Sequence, residues 1–238
     1  MKARLAQRWS DAAGTERVDE ILRRVQYGAS LEGMGLGVYE GRIDLRGLPA
    51  GAEPTATLAR SGSLEMRRLS RSVVLRGTLA DVDLSDSQLA FWRVTGAALE
   101  NCRFDQADCR GWVMKHSTVR NGSFVGANLR GSLLSAGTAD GRVAWEKVSL
   151  AKADLRGAVF LSALLVDCTF AEAKGVEFCQ CDILRSVFTG GVTDVLFDGR
   201  GITARPEPGE LDADFSHAIF TEVEFRGYGL DRVQLPLD

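Results

Sequence analysis

Cysteine, proline and histidine are scarce in this chain. Its 238 residues include 5 cysteines, 5 prolines and 2 histidines. So few cysteines, without the spacing of a disulfide framework, exclude a stapled secreted scaffold and fit a reducing compartment. The Cys179-Gln180-Cys181 pair has no nearby histidine, so thiols are expected rather than a metal site. No apolar run reaches the roughly 18 residues that a membrane span needs; the longest, Ala158–Val166, is broken by Ser162. No charged-then-apolar leader opens the chain, so the cytoplasm is the expected compartment. Glycine-rich phosphate loops, nucleophile elbows and metal-spaced clusters are missing. No catalytic residue, metal or cofactor is therefore assigned, and an enzyme is not expected.

What the chain does have is a beat of five. From Leu79 an apolar residue recurs at every fifth position, through Leu84, Leu89, Val94, Leu99, Phe104, Cys109, Met114, Val119, Phe124, Leu129 and Leu134. Two residues before each, at position i−2, sits a mostly small residue such as Ala97, Cys102, Ala107, Ser117, Ala127 or Ser132. Neither a helix period of 3.6 nor a strand period of 2 gives this spacing. In an extended segment i−2 and i share one side, so both point inward, i−1 points outward, and i+1 and i+2 must turn the chain. Four such edges close a coil of about 20 residues, and coils stack at the strand spacing of about 4.8 Å. Trp92 and Trp112 are too large for ordinary i−2 positions. Lying on one edge of adjacent coils, they should stack on each other or turn outward.

The units Ala127-Asn128-Leu129-Arg130-Gly131 and Ala153-Asp154-Leu155-Arg156-Gly157 share the form A-[DN]-L-x-x. The chain resembles the pentapeptide-repeat family on these and on weaker copies from about residue 69 to 237. The resemblance implies an all-β solenoid, a right-handed quadrilateral β-helix. Its expected core includes Leu84, Leu99, Phe104, Phe124, Leu129, Leu155, Phe160, Phe170, Phe178, Phe188, Phe215, Phe220 and Phe225. The three cysteines Cys102, Cys168 and Cys181 fall at i−2 and Cys109 at i, where small apolar groups are wanted.

Residues 1–30 do not follow the beat. Val18, Ile21, Leu22 and Val25 have helical spacing, with Thr15 as the expected N-cap and Gly28 as the stop. A short helical piece around Leu5 to Ala13 is also expected. This N-terminal helical cap should cover the open end of the solenoid; a partner-binding helix is the alternative. Residues 31–68 read as an irregular segment with an isolated repeat, Ile43-Asp44-Leu45-Arg46-Gly47, and residues 69–238 as the β-helix, its first regular coil opening at Leu69 or Val74. The beat slips after Leu134, after Phe170 and around Phe197, and each slip should mark a bulge or loop. The longest excursion, residues 198–212, is rich in Gly and Pro and should project from the wall. His116 and His217 sit at outward i+2 positions.

Charge divides along the chain. Residues 151–238 hold 15 acidic and 8 basic residues, and residues 1–150 hold 17 and 21, which gives −7 and +4 of the total −3. An arginine-rich run, Arg60, Arg67, Arg68, Arg71 and Arg76, marks the basic section, but without interleaved aromatics for base stacking. Some members of the family resemble a rod of B-DNA in width and negative charge. They bind DNA gyrase or topoisomerase IV and protect it from antibiotic poisons. By that resemblance the acidic face would comprise Asp154, Glu172, Asp182, Asp214, Glu222 and Glu224. Arg205, Glu207 and Glu210 would be loop contacts, and Tyr228, Leu230, Val233, Leu235 and Leu237 would form a dimer contact at the C-terminal end. The second reading is a protein-interaction scaffold, with the charge split serving docking. Neither reading involves a small-molecule substrate, a membrane or direct nucleic-acid binding.

Overall fold

The computed structural model describes residues 2–51, 73–136, 141–201 and 206–236. The expected beginning of the coils at Leu69, and Arg60, Arg67, Arg68, Arg71, Arg205 and Leu237, lie outside the described residues.

The chain winds into a four-sided β-helix whose rungs are short parallel strands. On one wall the i−1 residues stack as Asp44, Asp83, Arg103, Ser123, Ser149, Thr169, Val187, Asp214 and Gln234. On the next wall Pro49, Gln88, Asp108, Asn128 and Asp154 stack. The third carries Val74, Arg93, Val113, Leu133, Val159, Glu177, Leu196 and Glu224. The fourth carries Thr78, Ala98, Thr118, Ala144, Leu164 and Asp182. The first coil therefore opens at Ile43. The repeat read as isolated is the first wall of that coil, since Ile43 and Asp44 pair in parallel with Val82 and Asp83. The beat hid this because the second and third walls of that coil, at Pro49 and Val74, lie far apart in the sequence.

Most corners follow one rule. The residue at i+2 has positive φ, whether it is glycine (Gly96, Gly111, Gly126, Gly131, Gly157) or not (Asp86, Phe91, Gln106, His116, Lys152, Glu172, Glu222). Such a conformation turns the chain onto the next wall and directs most i+2 side chains outward. It accounts for the exposure of His116, Glu172 and Glu222.

The core is continuous from end to end. Eleven of the thirteen expected core residues are fully buried, while Phe220 and Phe225 are half-buried, with no further coil over them among the described residues. Phenylalanines stack along two inner edges: Phe170, Phe188 and Phe215 at centroid spacings of 4.6 Å, and Phe160, Phe178, Phe197 and Phe225 at 5.1, 5.0 and 4.9 Å. The two files meet edge-on, as between Phe178 and Phe188 at 5.9 Å, which suits the ring quadrupoles. Trp92 and Trp112 take the first of their two expected arrangements. Both are buried, with centroids 6.0 Å apart and planes 5° apart.

The i−2 position has a polar task as well as a packing one. Trp92 Nε1 donates to the Ala50 carbonyl and Trp112 Nε1 to that of Leu89, each at 2.7 Å. Ser132 Oγ donates to Cys109 O at 3.3 Å, and Cys102 and Cys181 Sγ to Leu79 O and Phe160 O at 3.2 Å. In each case the acceptor is an inward corner carbonyl of the preceding coil, which would otherwise be buried without a partner. Burial pushes the Cys102, Cys168 and Cys181 thiols up to about 12, and that of Cys109 well above its usual value.

Two helices, α1 (Lys2–Gln7) and α2 (Ala12–Tyr27), close the N-terminal end. The α2 helix starts earlier than the Thr15 expectation. Asp11 is the N-cap, its carboxylate accepting from Gly14 N–H at 2.6 Å, while Thr15 hydrogen-bonds the Asp11 carbonyl from within the first turn. Gly28 ends the helix at φ 65° as expected. Val18, Ile21 and Val25 join the solenoid core. Arg8 clamps the cap by donating to both Asp44 carboxylate oxygens at 2.8 and 2.9 Å, and Trp9 Nε1 donates to Arg46 O. Gly28 and Gly77 meet backbone to backbone; a Cβ on Gly77 would lie 2.8 Å from Gly28 Cα. No helix among the described residues is long and apolar enough to cross a membrane.

Candidate partner-binding surfaces

The six acidic residues do not form one face. Asp214 lies on the first wall, Asp154 on the second, Glu224 on the third and Asp182 on the fourth, while Glu172 and Glu222 occupy corners. A row of carboxylates of duplex-like width is therefore not assembled from them.

Three of the six are also matched to arginine. Asp154 accepts two hydrogen bonds from Arg156 at 2.8 and 2.6 Å, Glu224 two from Arg226 at 2.5 Å, and Asp182 one from Arg142 at 2.6 Å. The Arg156 and Arg226 guanidiniums hold their partner carboxyls below the usual range. Asp214 is held low by the hydroxyl and N–H of Ser216. The Arg156 and Arg226 pairs belong to a recurring unit in which an acid at i−1 meets an arginine at i+1. Asp44 with Arg46 and Asp108 with Arg110 repeat it. Positions i−1 and i+1 lie on one side of an extended segment, so the two side chains emerge together. The signal was present in the sequence as Asp-x-Arg, next to the very acids assigned to a bare acidic face.

Residues 198–212 are held down at their described ends. Gly209 N–H donates to Gly199 O at 2.8 Å, and Glu210 N–H to the Asp182 carboxylate at 3.0 Å. Gln180 Nε2 reaches the Glu207 carbonyl, and Glu210 pairs with Arg232. Glu207 is exposed, and the exposed Glu210 lines a cleft of about 410 Å³ together with Asp182, Asp231 and Arg232. Tyr228 lies beneath this segment. Its ring packs on Gly199 and Gly209, and its hydroxyl donates to Cys181 O at 2.9 Å, so it is engaged within the chain rather than offered to a partner. Burial raises its hydroxyl pKa.

The C-terminal end carries no cap among the described residues. Leu230 and Leu235 are 42% and 48% exposed, and Val233 is half-buried against the core. Beside them Ile219, which sequence reasoning missed, is 71% exposed on the last full coil. An apolar residue at outward i−1, just before Phe220, was the available signal. The final strand, Arg232–Gln234, pairs with residues 212–214 on one edge only.

Among the described residues no cluster of His, Cys, Asp or Glu could hold a metal. No curated protein matches the chain. It is similar to the solved structure of HetL, a pentapeptide repeat protein involved in heterocyst differentiation regulation from the cyanobacterium Nostoc sp. The identity is 14%, the coverage 91% of this chain and 93% of that one, and the TM-score 0.37. It is also similar to full-length QnrB1, a plasmid-mediated fluoroquinolone resistance protein, at 14% identity, covering 67% and 82%, with a TM-score of 0.34. Neither likeness carries a function to this chain. Residues 94–131, the most regular coils, match the family model for pentapeptide repeats in eight copies. Within the four-sided stack, these coils carry the five-residue beat with the form of pentapeptide repeats.

Proposed function

We propose that this chain acts by binding rather than catalysis, as a stiff protein-interaction rod whose main contact is its C-terminal end, closed by a second copy. The supporting observation is the asymmetry of the two ends. The first coil is sealed by α1 and α2, whereas the last exposes Ile219, Leu230 and Leu235 over half-buried Phe220 and Phe225. Solenoid ends need a polar cap or a partner, and an open strand edge beside apolar side chains favours self-pairing. End-to-end association of like ends is closed and isologous, so it stops at a dimer. Sedimentation analysis tests this. The wild type should be a dimer at about 10 μM, in the range of an ordinary specific interface, and Ile219→Lys and Leu235→Lys should be monomers. A wild type that stays monomeric at ten times that concentration overturns the reading.

A narrower reading, protection of DNA gyrase or topoisomerase IV by DNA mimicry, has the −7 charge of residues 151–238 in its favour. The distribution of its acids over four walls, and their arginine partners, weigh against it. A supercoiling assay with a topoisomerase poison decides. Neither protection nor inhibition is expected at micromolar protein; protection that fades as salt rises would restore mimicry.

A further inference from the structure

At the opposite end the helical cap leaves a groove. A hairpin of β1 (Val38–Tyr39) and β2 (Arg42–Asp44) forms one side, with Val38 and Ile43 toward the groove. The turn after α2, Gly28 to Glu32, forms the other. Its floor is the outer edge of β3 (Val74–Ala80) from Thr78 to Ala80, and its volume is about 430 Å³.

That edge is set up to pair. On the fourth wall the i−1 amide always donates to the preceding coil: Ala144 N–H to Ser117 O, Leu164 N–H to Val143 O and Asp182 N–H to Ala163 O. Thr78 holds the same position in the first coil, in register with Ala98 and Thr118. Its amide is directed to where a preceding coil would lie, and among the described residues β3 pairs only with the strand Arg93–Glu100 on its other side. Thr78 is exposed, whereas Ala98, Thr118 and Ala144 beneath it are half-buried. Unpaired strand groups beside apolar walls are what an added strand satisfies, with main-chain hydrogen bonds for affinity and side-chain pockets for selectivity. The charged residues lining the groove are Glu32 and Asp81, with no basic residue among the lining.

We propose that this groove receives a short extended peptide from a partner protein, apolar at alternate positions and carrying lysine or arginine. The peptide adds a strand to β3 at Thr78. An apolar side chain enters between Leu31 and Val38, and a cationic one reaches Glu32 and Asp81. This inference does not depend on the C-terminal contact, so either can fail without the other.

The test uses the full chain and three labelled, end-blocked peptides read by fluorescence anisotropy at low salt. One is Lys-Val-Thr-Val-Lys-Val, one its Glu-for-Lys counterpart, and one the basic peptide with N-methylated backbone. The basic peptide should bind, and the acidic and N-methylated peptides should bind at least about tenfold more weakly. Glu32→Lys and Val38→Lys alter exposed side chains, the latter 72% exposed, and each should weaken the basic peptide by at least about fivefold with the unfolding midpoint unchanged. Hydrogen exchange at Thr78 should slow in the complex. Equal binding of all three peptides, binding unaffected by both variants, absence of binding at millimolar peptide, or self-association through this groove in place of peptide would each overturn the proposal.

Discussion

Replacing Trp112 separates the two tasks of the i−2 position. The indole is fully buried, stacks on Trp92, meets Phe104 edge-on at 5.5 Å and donates to the Leu89 carbonyl. Trp112→Phe keeps an aromatic ring but deletes the donor. A buried carbonyl left without a partner costs about 1–3 kcal/mol, and the volume lost with the smaller ring adds about 1 kcal/mol, so about 3 kcal/mol is expected. Trp112→Ser keeps a donor of the kind Ser132 uses one coil later. It loses the whole ring, at about 3–5 kcal/mol, offset by about 1 kcal/mol for the hydroxyl bond. Serine should therefore cost about as much as phenylalanine. With a urea slope of about 3 kcal/mol per molar, Trp112→Phe lowers the unfolding midpoint by about 1 M. Equilibrium unfolding followed by both circular dichroism and tryptophan fluorescence gives the answer, coincidence of the two probes checking two-state behaviour. A cost for Trp112→Phe below about 1 kcal/mol would refute the claim that i−2 donors satisfy the corner carbonyls. A milder effect for serine than for phenylalanine would show ring packing to be the lesser contribution.

Four further predictions concern the cap and the thiols. Gly77→Ala forces a Cβ against Gly28 at φ 73° and should destabilise by about 2 kcal/mol, seen as earlier loss of helical signal on heating; Asp11→Ala should cost about 1 kcal/mol in the same measurement. Burial alone would raise the Asp44 carboxyl, but hydrogen bonds from Arg46 and Arg8 hold it well below the usual carboxylate range. A depressed carboxyl contributes stability above its unfolded value near about 4 and loses it as pH falls through the folded value, so the stability gap between wild type and Arg8→Ala should be full at pH 7 and close under strong acid. With a thiol reagent at mildly alkaline pH, half-buried Cys179 should react first and the four buried cysteines only on unfolding; equal rates would contradict their burial.

The fold was legible because a period of five leaves each residue only one direction to face. From Leu79 onward the beat identified the inward files, the paired tryptophans and the outward histidines. It failed where continuity along the chain and continuity in space part company. Ile43 to Gly47 belongs to the first coil, yet residues 52–72 separate it from the third wall, and no local pattern crosses that gap. The Asp11 cap was missed because Thr15 lies nearer the apolar stripe, although Asp11 makes the capping hydrogen bond. The acidic residues were read in sequence as a surface charge, but which wall each joins depends on register, and register shifts locally, as between Val159 and Phe160. The groove beside β3 had no sequence signal of its own, since an edge unpaired among the described residues leaves no local pattern.

The pairing of an acid at i−1 with an arginine at i+1 also bears on how such a rod can change length. Asp108 with Arg110 and Asp154 with Arg156 carry their own counter-charge within three residues. A coil built from such units brings no net charge with it. Duplicating or deleting one would alter the reach of the protein without altering its balance of charge, so variation in length and variation in surface potential become separable.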